Sequence, residues 1–277
     1  MIDWKQQFSE KVRFIDQRGK AAREDAIASF AYDDTLAISV GNEISPPAAR
    51  LWVHEKTVIL GIPDAKLPHI HEAIQWLGEQ GYQVVIRNSG GLAVVLDSGI
   101  LNLTFVLPDA KNIGIHEGYQ AMVEFIQYLF EDVTNDIKAF EIKGSYCPGD
   151  YDLSIGGKKF AGISQRRVKN GSAVQIYLCI EGSGKQRAEL IKQFYRIGRQ
   201  GEANRFDYPE VHPSTMASLS ELLALNLTVD DVARRILQAL RQLSSVVVED
   251  PLSEQEREWF GKRLEQMHDR NKRTLVE

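Results

Sequence analysis

The chain has 277 residues, 43% of them hydrophobic, and a formal net charge of −5. That length suits one large domain or one and a half smaller ones with a substantial core. No run of the roughly 18 apolar residues needed for a membrane span occurs, and the acidic balance speaks against a general nucleic-acid binder.

The start, Met1-Ile2-Asp3-Trp4-Lys5-Gln6-Gln7, is polar and lacks an apolar signal stretch, so a cytoplasmic protein is expected. Trp4, Phe8, Val12 and Ile15 recur at helical spacing, which predicts a mainly helical segment over 1–40. Leu51–His54 and Thr57–Gly61 flank a short turn and predict a hairpin. A helix is expected from Leu67 to Gln80, with Ile70, Ile74 and Leu77 on one face and Gly81 as its stop. Tyr82–Arg87, Leu92–Asp97 and Leu101–Leu107 read as strands, the first two joined by the turn Asn88-Ser89-Gly90-Gly91. Glu117–Phe130 reads as a helix that buries Met122, Phe125, Ile126 and Leu129. Strands follow near Ile137–Ile142, Asp152–Ile155, Phe160–Ser164 and Ala173–Ile180, then a helix over Lys185–Arg199. Beyond Pro213 the pattern is helical throughout, with capping pairs Thr228/Asp231 and Ser253/Glu256. The fold class is therefore α+β: a mixed or antiparallel sheet core flanked by helices, with a helical C-terminal segment. The expected division is 1–40 packed on a core of 41–210, followed by 211–277.

Two cysteines are present, too few for a disulfide framework. Cys179 falls in the apolar run Ala173–Ile180 and reads as a buried, inert thiol. Cys147 lies in Gly144-Ser145-Tyr146-Cys147-Pro148-Gly149-Asp150-Tyr151-Asp152-Leu153, where Gly and Pro mark a turn. Lys159 follows in Gly157-Lys158-Lys159-Phe160-Ala161-Gly162. A thiol on a turn is open to substrate, and an ammonium beside it favours the thiolate. The pair points to acyl-thioester chemistry and a transferase; a loop cysteine of no consequence is the alternative. The turn Arg87–Gly91 reads either as a plain hairpin turn or as an anion nest of backbone N–H groups with a guanidinium beside it. Lys158, Lys159, Arg166, Arg167 and Lys169, with Arg187, Lys192 and Arg196, form either a solvated face or a docking patch for an acidic partner.

Two patterns are set aside. Gly182-Ser183-Gly184-Lys185-Gln186 lacks the first glycine and the Ser/Thr of a phosphate loop. His69 and His71 are two residues apart, so on a helix they face different ways, and no metal site is expected. Trp259, Phe260, Leu264 and Met267 read as an apolar helix face docked on the body.

Order along the chain adds a resemblance. From Arg87 the sequence runs Arg-Asn-Ser-Gly-Gly-Leu-Ala-Val-Val-Leu-Asp-Ser-Gly-Ile-Leu-Asn. This is similar to a signature of the lipoate–protein ligase family: an Arg, a Ser-Gly-Gly-Gly-Ala-Val turn, then His-Asp-x-Gly and an Asn. Lys159 in Gly-Lys-Lys-Phe-Ala-Gly-Ile-Ser resembles that family's second signature, where a lysine before an apolar-small-Gly triplet contacts the acyl carbonyl. The resemblance spans Arg50 to Leu178 and implies a biotin/lipoate ligase-like catalytic domain. Leu92 replaces the third glycine and Leu96 the histidine, which puts ATP-dependent ligation in doubt. A cysteine twelve residues before the lysine looks like the cysteine-dependent octanoyltransferases of the same fold. The surrounding residues resemble the branch that moves octanoyl from the glycine cleavage H protein to other lipoyl domains.

That resemblance implies Cys147 as acyl-thioester nucleophile and Lys159 as the group that ionises it and moves protons. It implies Arg87, Ser89, Gly90, Gly91, Asp97 and Gly162 as substrate contacts, with Asp97 and Asn102 alternatively capping a turn. No cofactor is implied. The octanoylated H protein would be donor and lipoyl domains of 2-oxoacid dehydrogenase complexes acceptors, with a monomer, no nucleic acid and no membrane expected. An acyl-carrier-protein donor, an ATP-dependent ligase and a non-catalytic lipoyl-domain binder remain alternatives. Leu92, Val94, Leu96 and Ile163 are candidate walls of an acyl slot.

Overall fold

The computed structural model describes residues 4–19, 25–108, 110–202 and 205–276. Positions 1–3 and 20–24 of the expected N-terminal segment lie outside the described residues. In the rest of that segment, helix α1 (Trp4–Phe8) is followed by strand β1 (Lys11–Gln17), then helix α2 (Ala26–Gly41). The expectation of helix across Val12 and Ile15 is therefore corrected. β1 is buried on both faces, from Val12 through Ile15, and its buried positions include Arg13 as well as apolar residues, so no clean alternation marks it as a half-exposed strand.

The main sheet has the order β11-β1-β2-β6-β10-β9-β8-β7 among the described residues. Its strands are β2 (Ala48–Trp52), β6 (Ile100–Leu107), β7 (Lys138–Ala139), β8 (Leu153–Ile155), β9 (Lys158–Val168), β10 (Gly171–Cys179) and β11 (Val246–Val248). β11, β1 and β2 run parallel; the remaining pairs are antiparallel. β11 corrects the all-helical expectation after Pro213. A three-valine strand is too short for a periodicity test, and its pairing with β1 is distant in sequence.

A small second sheet has the order β4-β3-β5, from β3 (Thr57–Leu60), β4 (Gln83–Ile86) and β5 (Val94–Leu96). β2 and β3 thus belong to different sheets, and the expected hairpin does not form. β4 and β5 are not partners either, because β3 lies between them. Helix α3 (Ile70–Glu79) supplies the crossover that lets β4 return parallel to β3, and Gly81 at φ +82 ends it.

Alternation along the strands sorts side chains between the two faces of the main sheet. Leu101, Leu103, Phe105, Val174, Ile176 and Leu178 enter a core with Phe8. Helices α4 (Ile115–Leu129) and α7 (Val229–Leu243) close that core with Phe125, Ile126, Ile236 and Leu240. On the opposite face Trp52 and Tyr177 join Val58, Leu77, Val95 and Phe194, so the small sheet and helix α5 (Gly184–Arg199) cover this side. The short helix α6 (Leu219–Leu223) and the long α8 (Glu254–Val276) complete the chain. Met267 of α8 is buried, with Phe260 and Leu264 packed against the second core, as the apolar face in the sequence suggests. Arg13 Nη1 meets Glu256 Oε1 at 2.7 Å, both side chains buried, tying β1 to α8. Asn271 Oδ1 accepts the Ile86 N–H at 2.7 Å and Nδ2 donates to the Ile86 carbonyl at 3.1 Å, along the outer edge of β4. No helix among the described residues is long and apolar enough to cross a membrane.

Candidate active site

Cys147 sits in the connection between β7 and β8, the turn region the sequence marks with Gly144, Pro148 and Gly149. Gly144 has φ +81, and Cys147 itself has φ +45. For a non-glycine residue this left-handed backbone is uncommon and costly, and it is informative where it occurs at a candidate site. The bend turns the sulfur toward the start of β5. There Sγ accepts the Leu92 N–H at 3.2 Å and Arg87 Nη2 at 3.4 Å.

Lys159 lies on β9 and its side chain is fully buried. Nζ donates to Asp152 Oδ1 at 2.8 Å, the Cys147 carbonyl at 2.8 Å and the Tyr146 carbonyl at 3.0 Å. Ser145 Oγ lies 3.4 Å away as well, so the three N–H donors of the ammonium are shared among four acceptors. The structure therefore brings Lys159 beside Cys147, with its ammonium on the Cys147 carbonyl oxygen. Asp152, just before β8, supplies the buried counter-charge of the ammonium. Burial pushes the Asp152 carboxyl up, against the pull of Lys159 and of the Ile142 and Gly149 backbone bonds. Sequence reading quoted Asp152 without giving it a role; a lysine buried in a sheet needs a counter-charge, and that rule could have found it.

The Arg87–Gly91 segment crosses from β4 to β5 over the end of β3, not as a hairpin turn. Gly61 and Gly91 make this crossing possible: a Cβ on Gly61 would lie 1.9 Å from the Gly91 carbonyl oxygen. A Cβ on Gly91, which has φ +104, would lie 2.2 Å from Arg87 Nη2 and 3.0 Å from Cys147 Sγ. Arg87 is 6% exposed and also donates to the Leu92 carbonyl at 2.6 Å. The Ser89 hydroxyl and Asn88 Oδ1 are buried with no protein partner. Buried polar atoms in that state call for an explanation, and a bound polar group is one. Behind the loop, Asp64 accepts the Gly61 N–H at 2.7 Å and the Tyr195 hydroxyl at 2.8 Å, and burial pushes its carboxyl up to about 6.

A cavity of ≈ 250 Å³ opens from Cys147 into the space between the two sheets. Phe30, Trp52, Ile59, Val94, Leu96 and Ile163 supply apolar wall. Three of the four expected slot residues line it; Leu92 does not, and contributes its N–H instead. Arg87, Gly90, Gly91 and Gly162 also line the cavity, and a Cβ at Gly162 would press on the Tyr177 ring at 2.8 Å. Asn102, Ser164 and Gln175 add polar lining. His116, Tyr119 and Tyr151 share it too, with Tyr119 and Tyr151 centroids 5.1 Å apart. Tyr177, Trp52 and this aromatic group were not singled out from the sequence, because their strands and helix give no sign of which face meets the thiol.

Asp97 is a correction. Its carboxylate is held by Arg187 at 2.6 Å and takes the Gly99 N–H at 2.9 Å, at the far end of β5 from Leu92 and outside the cavity lining. Of its two readings, turn capping is the one realised. Cys179 is buried, and burial pushes its thiol up to about 11, consistent with an inert role. Ser183 caps α5, so the Gly182–Gln186 run is a helix entry. His69 contacts Glu72 and Glu202, and no cluster of metal-binding side chains occurs among the described residues. Half of the basic stretch is engaged internally, Lys159 with Asp152, Arg166 with Asp34, Arg167 with the Ile113 carbonyl and Arg187 with Asp97, while Lys158, Lys169, Lys192 and Arg196 are exposed.

Similarity to known proteins follows the same geometry. The chain is similar to the octanoyl-[GcvH]:protein N-octanoyltransferase of Oceanobacillus iheyensis, at 55% identity covering 98% of this chain and 99% of that one. The enzyme of the same description from Exiguobacterium sibiricum is 52% identical, covering 96% and 97%. The lipoyl-[GcvH]:protein N-lipoyltransferase of Listeria monocytogenes is 49% identical, covering 95% of each. The fold is that of a lipoate-protein ligase A bound with ATP, with a TM-score of 0.71 at 16% identity over 96% of this chain and 98% of that one. Residues 25–241 match the model of the lipoyl protein ligase A/B catalytic domain. The chain belongs to the lipoyl protein ligase A/B catalytic domain family.

Proposed function

We propose that the chain moves an octanoyl group from the lysine of the glycine cleavage H protein to lysines of lipoyl domains in 2-oxoacid dehydrogenase complexes, by way of an acyl thioester on Cys147. It is an acyltransferase of protein lipoylation, as are its relatives of about half-identical sequence. The observation that carries the covalent route is the Cys147 sulfur at the head of an apolar cavity, on a left-handed bend, with an N–H and a guanidinium directed at it.

The thiol attacks the octanoyl–lysine carbonyl. A sulfur–carbon bond forms, the amide carbon–nitrogen bond breaks, and the thiol proton ends on the departing amine. The acceptor lysine amine then attacks the thioester and the proton returns to sulfur. Exchanging one lysine amide for another is close to neutral, so no ATP is required. A free acid would need activation before ligation, and Cys147 serves no purpose there. The cavity stabilises the chain: burying seven CH₂/CH₃ groups at about 0.8 kcal/mol each yields roughly 5–6 kcal/mol before ordering costs. Lys159 supports the reading by fixing the Tyr146 and Cys147 carbonyls, and so the bend that presents the sulfur.

Incubation with octanoylated H protein, without ATP, is expected to add one octanoyl group to the peptide containing Cys147, read by mass spectrometry. Cys147→Ser should show neither the adduct nor transfer; a serine variant with full transfer would refute the covalent route. The Listeria relative gives a second acyl group to test, and lipoylated H protein should be compared as donor in the same assay.

A further inference from the structure

Three aromatic side chains stand where α4 meets the Cys147 turn: His116 and Tyr119 on the helix and Tyr151 after the turn, all lining the cavity. The Tyr119 and Tyr151 centroids are 5.1 Å apart, those of His116 and Tyr151 5.9 Å, and His116 Nδ1 lies 3.2 Å from the Tyr151 hydroxyl. His116 is exposed and both tyrosines are half-buried, so the trio leads from solvent into the cavity. Tyr119 stands at the inner end, in the field of the thiol: burial pushes its hydroxyl up, Arg87 opposes the rise and Cys147 adds to it. Asp150 also lines the cavity; it is exposed and makes no ion pair among the described residues. The other carboxylate of the lining, Asp152, is bonded to Lys159.

We propose that these four side chains are the lysine entry of the site and treat the two lysines of the transfer differently: the His116, Tyr119 and Tyr151 rings flank the stem of both, while the Asp150 carboxylate recruits the acceptor alone. This entry rests on the acyl-Cys147 transfer proposed above. Both half-reactions bring a lysine of a folded protein to the same sulfur. Its stem is a run of methylenes without a polar atom. Rings with polar tips suit such a stem, because their apolar bodies cover the methylenes while the hydroxyls and the imidazole stay wet. The nitrogen is where the two lysines differ. On the donor it is an uncharged amide. On the acceptor it arrives as an ammonium, since a free lysine has a pKa of about 10.4. A carboxylate at the mouth therefore attracts the acceptor and is indifferent to the acylated donor. Asp152 has no such freedom, because its charge is already met by Lys159.

The test compares Tyr119→Ala, Tyr151→Ala and Asp150→Asn with the parent full-length enzyme in single-turnover kinetics. Three rates are read: acylation of Cys147 by octanoylated H protein, acylation by S-ethyl octanethioate, whose short leaving group has no lysine stem, and discharge of preformed octanoyl-Cys147 to an unmodified lipoyl domain. Each tyrosine variant is expected to lose about tenfold in acylation by the H protein and in discharge, as truncation of an aromatic contact does. Acylation by the ethyl thioester should be little changed, which also shows that the variant is folded. Asp150→Asn should keep both acylation rates and raise the acceptor concentration for half-maximal discharge about threefold, the worth of an exposed ion pair. Added salt should weaken discharge in the parent and do so less in Asp150→Asn. Equal losses with both donors in the tyrosine variants would overturn the entry, since the rings would then only support the Cys147 turn; so would no loss with either. Asp150→Asn that slows acylation by the H protein as much as discharge would overturn the role of the carboxylate. Failure of the cysteine route itself would appear separately, as full transfer by Cys147→Ser.

Discussion

At the scale of the residue, Cys147 combines an exposed task with a strained conformation. Its left-handed φ of +45 costs about 1–2 kcal/mol for a residue with a Cβ, and glycine would occupy it freely. Cys147→Gly is therefore expected to be inactive yet no less stable than the parent, with urea denaturation as the measurement. Lys159 behaves in the opposite way. Lys159→Met leaves Asp152 buried without its partner, and breaking such a pair costs about 3–5 kcal/mol. Loss of activity in that variant should therefore track a fall in melting temperature. The residues of the site were legible as types and order: a thiol on a turn, a lysine on a later strand, a glycine-rich turn. What each atom touches was not legible. Asp97 bonds Arg187 because a partner distant in sequence decides it, and Lys159 bonds a carbonyl because the fold of the Cys147 turn decides it.

At the scale of the element, long periodic segments such as α3, α4 and α5 emerge from spacing alone, because half-buried helices must place apolar residues every three or four positions. Most strands were located, β1 and β11 excepted, but their pairing was not. β3 inserts between β4 and β5, and β1 pairs with β11 across nearly the whole chain; no local signal encodes such contacts. The crossing of β3 by the Arg87–Gly91 loop depends on two glycines in close approach. Gly61→Ala would drive a methyl into the Gly91 carbonyl, displacing the N–H directed at Cys147. Acyl-enzyme formation should fall at least tenfold with donor affinity retained, measured by single-turnover kinetics. Asp64, at the foot of the same loop, holds its proton to about pH 6 when folded, against an ordinary value of 3.8. The folded state therefore binds more protons than the unfolded one across that window, and stability from this group declines as pH rises through it. The decline amounts to about 3 kcal/mol and is complete above pH 6. Denaturant titrations across this range should show it in the parent and not in Asp64→Asn.

At the scale of the whole molecule, the cavity exists because two sheets face each other across it, held together by the helices around them. α8 is one of the ties. Glu256 is drawn to Arg13: although burial pushes its carboxyl up, the Arg13 and Ser253 bonds hold it below its ordinary value. Glu256→Ala leaves Arg13 with the Asp250 and Pro251 carbonyls and the Ser45 hydroxyl, and no carboxylate. A stability loss of about 3 kcal/mol is expected, read as a lower melting temperature. Farther along α8, the Asn271 amide accepts from and donates to the backbone of Ile86, as a neighbouring strand would. It thereby terminates the hydrogen-bonding ladder of the small sheet. Asn271→Ala would bare an edge against which a second molecule's strand can zip, so the cost of that substitution should appear as concentration-dependent self-association in sedimentation experiments, and in storage as fibrous precipitate.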